Sequence, residues 1–163
     1  MASTGIARNP WPIVVAGGLV AGALDITYAW LFWAVKAGVP AQRIFQSVAA
    51  GLLGRASATS GGWKTAALGL ALHLFIACTM SAIYFLVARR WALLWRRPWT
   101  MGALYGLWLY IAMNYIVVPL SAAASGGAPD PLWVTLSVIV HMLLIGIPIA
   151  LAARTGLSDS TQT

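Results

Sequence analysis

The sequence predicts an all-α membrane protein: a four-helix antiparallel transmembrane bundle with an additional interfacial amphipathic helix, folded as a single transmembrane domain over residues 1–163. Three observations carry that prediction. Hydrophobic residues make up 61% of the chain and charged residues 8%, against about 25% charged in an ordinary soluble domain. Four apolar segments, Ile13–Val35, Thr65–Ala88, Thr100–Leu120 and Leu132–Ala153, are long enough to cross about 30 Å of hydrocarbon at about 1.5 Å per helical residue. Tryptophans mark the ends of those segments, at Trp11, Trp30, Trp33, Trp63, Trp91, Trp95, Trp99 and Trp133, as aromatic anchors at the two interfaces do. Only Trp108 falls mid-span.

The first span opens like a signal peptide, with Arg8 ahead of an apolar stretch and a small-residue Ala21-Gly22-Ala23 step. Its apolar residues continue to Val35, so it is expected to be an uncleaved span. The connection that follows is longer than a linker requires. From Ala41 to Arg55, residues Ile44, Phe45, Val48, Leu52 and Leu53 share one helical face, with Gln42, Arg43, Gln46 and Arg55 elsewhere. That pattern predicts an amphipathic helix lying on the outer interface or dipping into it, either passive or acting as a lid. The run Ser57-Ala-Thr-Ser-Gly-Gly62 is expected to be a flexible hinge into the second span.

Charge orients the four spans. The chain carries three acids against ten Lys and Arg, a net charge of +7. In a soluble chain this balance would suggest nucleic acid, but here the bases sit at the ends of apolar runs and read as topology signals. The short second connection, Arg89 to Pro98, concentrates Arg89, Arg90, Arg96 and Arg97, while the third, Ser121 to Pro131, has no base and one acid. Both termini are therefore expected on the cytoplasmic side, with Arg8 and Arg154 there too and Lys36, Arg43, Arg55 and Lys64 outside. Cys78 is the only cysteine, so no intramolecular disulfide can form.

Each span holds one strongly polar residue: Asp25, His73, Asn114 and His141. Such a side chain in hydrocarbon is costly, usually faces the bundle interior with a partner, and is a functional-site hypothesis by default. Because the spans alternate in direction, the four convert at about 1.5 Å per residue into one layer, slightly to the outer side of the midplane. Asp25 shares its face with Gly18, Ala21, Gly22 and Ala29, and His73 with Ala66, Gly69, Leu70 and Ala77. Small residues of this kind let neighbouring helices approach closely, and the Gly18/Gly22 and Gly102/Gly106 pairs point to packing and leave self-association open. Thr27, Tyr28, Tyr110 and Ser137 are expected to complete hydrogen bonds in the layer. Asp25 should be neutral or paired with a protonated histidine, because an isolated carboxylate in a low dielectric takes up a proton.

Three functions fit such a layer. The first is a small-solute or proton-linked transporter or channel, with Asp25, His73 and His141 exchanging protons or binding a cation or polar solute at mid-membrane. The second is a haem-b electron carrier in which His73 and His141, on the second and fourth spans, ligate one iron from opposite sides. Against it, no basic pair lies near those depths to receive propionates. The third is an accessory or packing subunit without chemistry, its polar residues serving as interhelical glue worth about 0.6–2 kcal/mol each. An enzyme is disfavoured: histidines and carboxylates are too few for membrane di-iron or metalloprotease chemistry, and neither a Ser/His nucleophile turn nor a phosphate loop is present.

Certain residues also suggest a family. Gly17-Gly18-Leu-Val-Ala-Gly22 in the first span, Leu72-His73 in the second, Met113-Asn-Tyr-Ile-Val-Val-Pro119-Leu-Ser121 in the third and Val140-His141 in the fourth resemble the YagU-like group of bacterial inner-membrane proteins. The resemblance covers roughly Ile13 to Ala153 and implies a multi-pass protein of the bacterial inner membrane. That group is associated with acid resistance and has no settled molecular activity. The chain departs from it in carrying Asp25 and in a shorter first connection.

Overall fold

A computed structural model describes residues 9–123 and 130–158. Arg8 and Asp159, counted in the charge reading above, lie outside those residues. Helix α1 covers Trp11–Ala37, α2 Ala41–Leu53, α3 Arg55–Ser60, α4 Gly62–Ala88 and α5 Ala92–Arg96; α6 covers Pro98–Leu120 and α7 Pro131–Ser158. No strand occurs among the described residues. Four of these helices, α1, α4, α6 and α7, are long and apolar enough to cross a membrane, and each contains one of the expected segments.

Local chemistry explains where they begin and end. Pro98 and Pro131 open α6 and α7, positions where the missing N–H costs no hydrogen bond and the fixed φ suits a helix. Asp130 caps α7 by accepting the Trp133 N–H at 2.9 Å. Gly38 closes α1 in the left-handed region at φ 63°, which costs a residue without Cβ nothing, and its N–H bonds the Ala34 carbonyl.

Both later spans contain a widened π turn, Met113–Val117 in α6 and His141–Gly146 in α7. Each lies just before a proline, Pro119 or Pro148. A proline ring cannot donate to the carbonyl four residues earlier and clashes with it, so the preceding turn relaxes.

Helix α1 packs along α4 and α7, α7 packs along α6, and α2 lies mainly on α4. The close crossings use the small residues. Gly18 meets the Cys78 backbone and Gly22 the Ala77 methyl. Gly102 and Gly106 meet the α7 backbone at Gly146 and His141. The glycine faces that left self-association open in the sequence are thus filled within the chain, because each receives a neighbouring helix of the same molecule. Val14, Phe85, Leu109, Ile145, Ile149 and Ala150 form the heart of the apolar core.

The first connection departs from expectation in three ways. The helix breaks at Gly54, φ 77°, into α2 and α3, and the stretch expected to be a flexible hinge is helical through Ser60. The face that packs is also different. Leu52 and Leu53 are exposed, whereas Ile44, Gln46, Ala49 and Ala50 are buried. Helix α2 meets α4 backbone to backbone at Gly69, where any Cβ would overlap the Phe45 carbonyl. Small side chains therefore face α4 because only they allow that approach, and the larger leucines turn outward. Gln46 crosses to the buried side because its amide finds acceptors there, donating to the Gly62 carbonyl at 2.9 Å.

The two ends of the molecule differ in charge. At one end, Trp11 packs edge-on against Phe85, Gly156 lies against Pro10 and Ile13, and α5 packs on α7, collecting Arg89, Arg90, Arg96, Arg97 and Arg154. At the other, α2 and α3 meet the end of α6: the Ala122 N–H bonds the Gly51 carbonyl and Arg55 donates to the Ala123 carbonyl. There Lys36 pairs with Asp130, and Tyr28 stacks on Trp133 with centroids 5.3 Å apart. The Lys36 ammonium, followed by the Trp133 N–H, holds the Asp130 carboxyl below the usual carboxylate range.

Candidate functional site

A cavity of about 270 Å³ opens beneath α2. Its polar lining comes from Asp25 on α1, His73 on α4 and His141 on α7, with Ser47 from α2 and Ser121 from the end of α6. The remaining wall is aliphatic, with Val48, Met113, Val117 and Ile145 among its members.

Asp25 and His73 form the closest pair. His73 Nε2 lies 3.7 Å from Asp25 Oδ2, with His73 17% and Asp25 22% exposed at the side chain. The same nitrogen lies 3.0 Å from the Gly22 carbonyl. A carbonyl can only accept, so Nε2 carries the proton in that bond and Nδ1 is the basic nitrogen. The close crossing at Gly22 makes this arrangement possible, since it brings α4 within reach of the α1 backbone.

His141 is held from its own helix. Its Nδ1 lies 2.8 Å from the Ser137 carbonyl, so by the same reasoning Nδ1 carries the proton and Nε2 is left as the base. Tyr110 meets the imidazole edge-on, with ring centroids 5.4 Å apart and planes at 87°. Ser137 is buried at 2%, and its hydroxyl lies 3.3 Å from the Tyr28 hydroxyl, linking α7 to α1. His141 is also the first residue of the α7 π turn, and such turns re-aim side chains that a regular helix would place elsewhere.

Two of the residues expected in the layer stand outside it. Asn114 is exposed and spends its amide on the Tyr110 carbonyl of its own helix, at 2.9 Å. Met113 and Val117, one π turn apart, are the residues that α6 sets on the cavity wall here, and the residue after Met113 is swung about 100° away. Thr27 is exposed for a similar reason: two residues beyond Asp25 it points about 200° round the helix. The structure therefore brings together Asp25, His73 and His141, with Tyr110, Tyr28 and Ser137 behind them.

Sequence reasoning missed the α2 contribution of Ser47, Val48 and Gly51 and the Gln46 anchor. One signal for them was present. Gln46, Ala49 and Ala50 repeat at three and four residues, a small-residue stripe of the kind that marks close helix packing.

Among the described residues, no group of three or more His, Cys, Asp or Glu converges as a metal ion would need. The cavity also lies under the roughly 300–1,000 Å³ of sites that enclose drug-sized ligands, leaving room for several waters or one small polar solute. Compared with family models, curated proteins and solved structures, the chain has no match.

Proposed function

We propose that this chain is a proton-linked transporter or channel for a small polar solute, built of four antiparallel spans in the bacterial inner membrane with both termini cytoplasmic. The observation that carries the reading is the pairing of Asp25 with His73 at 3.7 Å on the wall of one small cavity that His141 also lines. Asp25 is the sole acid among the described residues of the four spans. A carboxylate beside an imidazole in a nonpolar span exchanges protons with little change in net charge, because the pair can be neutral either as acid and base or as ions. The second imidazole gives a proton a place to go.

Orientation is supported by the four arginines of the short connection between α4 and α6, since basic residues in short loops are retained on the cytoplasmic side. The pairings 14 with 81, 18 with 78 and 22 with 77 between α1 and α4 support their opposite directions. The YagU-like resemblance supports the location. A haem site is the weaker reading: the cavity is small for a macrocycle, and His73 Nε2 already faces the Gly22 carbonyl.

The test is pH-driven flux in liposomes, followed alongside protein yield. Asp25→Asn keeps volume and most hydrogen bonding but removes the titratable group, so it is expected to fold normally and to carry flux no faster than empty liposomes. Undiminished flux in well-folded Asp25→Asn would exclude the proton-linked mechanism. A purely structural cluster would instead tolerate the amide and fail with Asp25→Leu, which sets an aliphatic side chain against an imidazole held then by the Gly22 carbonyl alone.

A further inference from the structure

We propose that the groove between α4 and α6 binds an anionic glycerophospholipid, with one acyl chain in the groove and the phosphate at Arg89 and Arg90. The site does not rest on the function assigned to the cavity beneath α2, although Met80 and Leu109 line both.

The groove exists because α4 and α6 are not packed along each other among the described residues. It encloses about 510 Å³ between walls that include Met80, Ile83, Val87, Leu104 and Trp108. The two hydroxyls along it are already engaged: Tyr105 donates to the Met80 carbonyl and Tyr84 to the Leu94 carbonyl, each at 2.9 Å. Beyond these the lining is almost entirely hydrocarbon, with the indoles of Trp91 and Trp108 at its edge, a surface that suits an acyl chain better than a polar solute.

What selects the headgroup is charge. Val87 and Trp91 belong both to the groove and to a shallow pocket that Arg89 and Arg90 also line. Both arginines are exposed. The described carboxylates, Asp25 and Asp130, are engaged in the opposite half of the molecule with His73 and Lys36. A phosphate at the membrane surface supplies the missing negative charge, and a basic pocket opening between spans is where anionic headgroups bind. Trp91, 67% exposed, follows the end of α4 at Ala88, the kind of place where tryptophans anchor a span in the headgroup layer.

Native mass spectrometry of the full chain released from detergent tests the site, using phosphatidylglycerol and phosphatidylcholine with the same acyl chains as probes. Phosphatidylglycerol should be retained preferentially, and the preference should fall by about 5-fold for each arginine removed in Arg89→Gln and Arg90→Gln. Lys64→Gln, at the opposite end, should leave it unchanged. Leu104→Trp, which fills the groove, should weaken retention of both lipids. Equal retention of the two lipids by the parent protein would overturn the proposal. So would an unchanged preference in Arg89→Gln/Arg90→Gln, an equal loss in Lys64→Gln, or full retention by Leu104→Trp.

Discussion

Two hollows of this molecule, the cavity beneath α2 and the groove between α4 and α6, share a wall, Met80 and Leu109 lining both, yet they are built by opposite rules. Beneath α2, polar side chains from three spans gather in a small space partly covered by an extra helix, with backbone crossings at Gly22, Gly69 and Gly106 holding the walls. Toward the arginine end, α4 and α6 meet through side chains, Tyr105 reaching Tyr84 and the Met80 carbonyl, and apolar and aromatic residues face the gap. Polar groups in a membrane need protein around them, because lipid cannot satisfy them, whereas an apolar gap can be left for lipid to fill. The cavity should therefore be rigid and intolerant of substitution, and the groove permissive.

The sharpest test of that contrast is Gly69→Leu. The added side chain has no room against the Phe45 carbonyl, so α2 must leave α4, at a cost of about 3 kcal/mol or more. Thermal unfolding in detergent should show the loss, and an unchanged midpoint would mean that α2 is not held as the geometry implies. Next is Gln46→Leu, which removes the donor shared by the Gly62 carbonyl and the Thr65 hydroxyl. Because the Gly62 carbonyl keeps the Thr65 hydroxyl as a donor, the lost buried bond costs about 1.5 kcal/mol. Amide exchange should rise in α3 and the first turn of α4, and protection equal to that of the parent would count against the anchor.

On the groove side, Tyr105→Phe deletes the one hydrogen bond described between α6 and the Met80 carbonyl. The expected cost is about 1 kcal/mol, less than for Gln46→Leu; a larger loss would show that the groove is as tightly built as the cavity.

The smallest effect belongs to Asp130. Its carboxyl is held below the usual range by Lys36 and the Trp133 N–H. A depressed folded value means the contribution is complete above the ordinary carboxylate pKa and is lost as the pH falls from about 4 downward. Asp130→Asn keeps a side-chain cap but not the charge, so the stability difference between parent and variant should shrink over that range. A difference that persists undiminished below it would dismiss the ion pair as its source.

Much of this was legible from local pattern. Apolar run length and the tryptophans located the four long helices, because insertion into hydrocarbon depends on summed hydropathy and backbone hydrogen bonding within a single segment. The polar positions Asp25, His73 and His141 stood out for the same reason: each is costly wherever its helix lies.

What the sequence alone determined, then, is which segments are helical and apolar enough to span a membrane and which of their residues cannot face lipid unaided. Tertiary structure decided the rest. The π turn after Ala112 aims Met113 inward and leaves Asn114 outside, and the crossing at Gly69 turns Ala49, Ala50 and Gln46, instead of Leu52 and Leu53, toward α4. Helical periodicity assumes a regular helix and a neighbour of average breadth. A widened turn breaks the first assumption by shifting every later side chain round the axis, and a glycine crossing breaks the second by admitting only small side chains and a well-bonded amide.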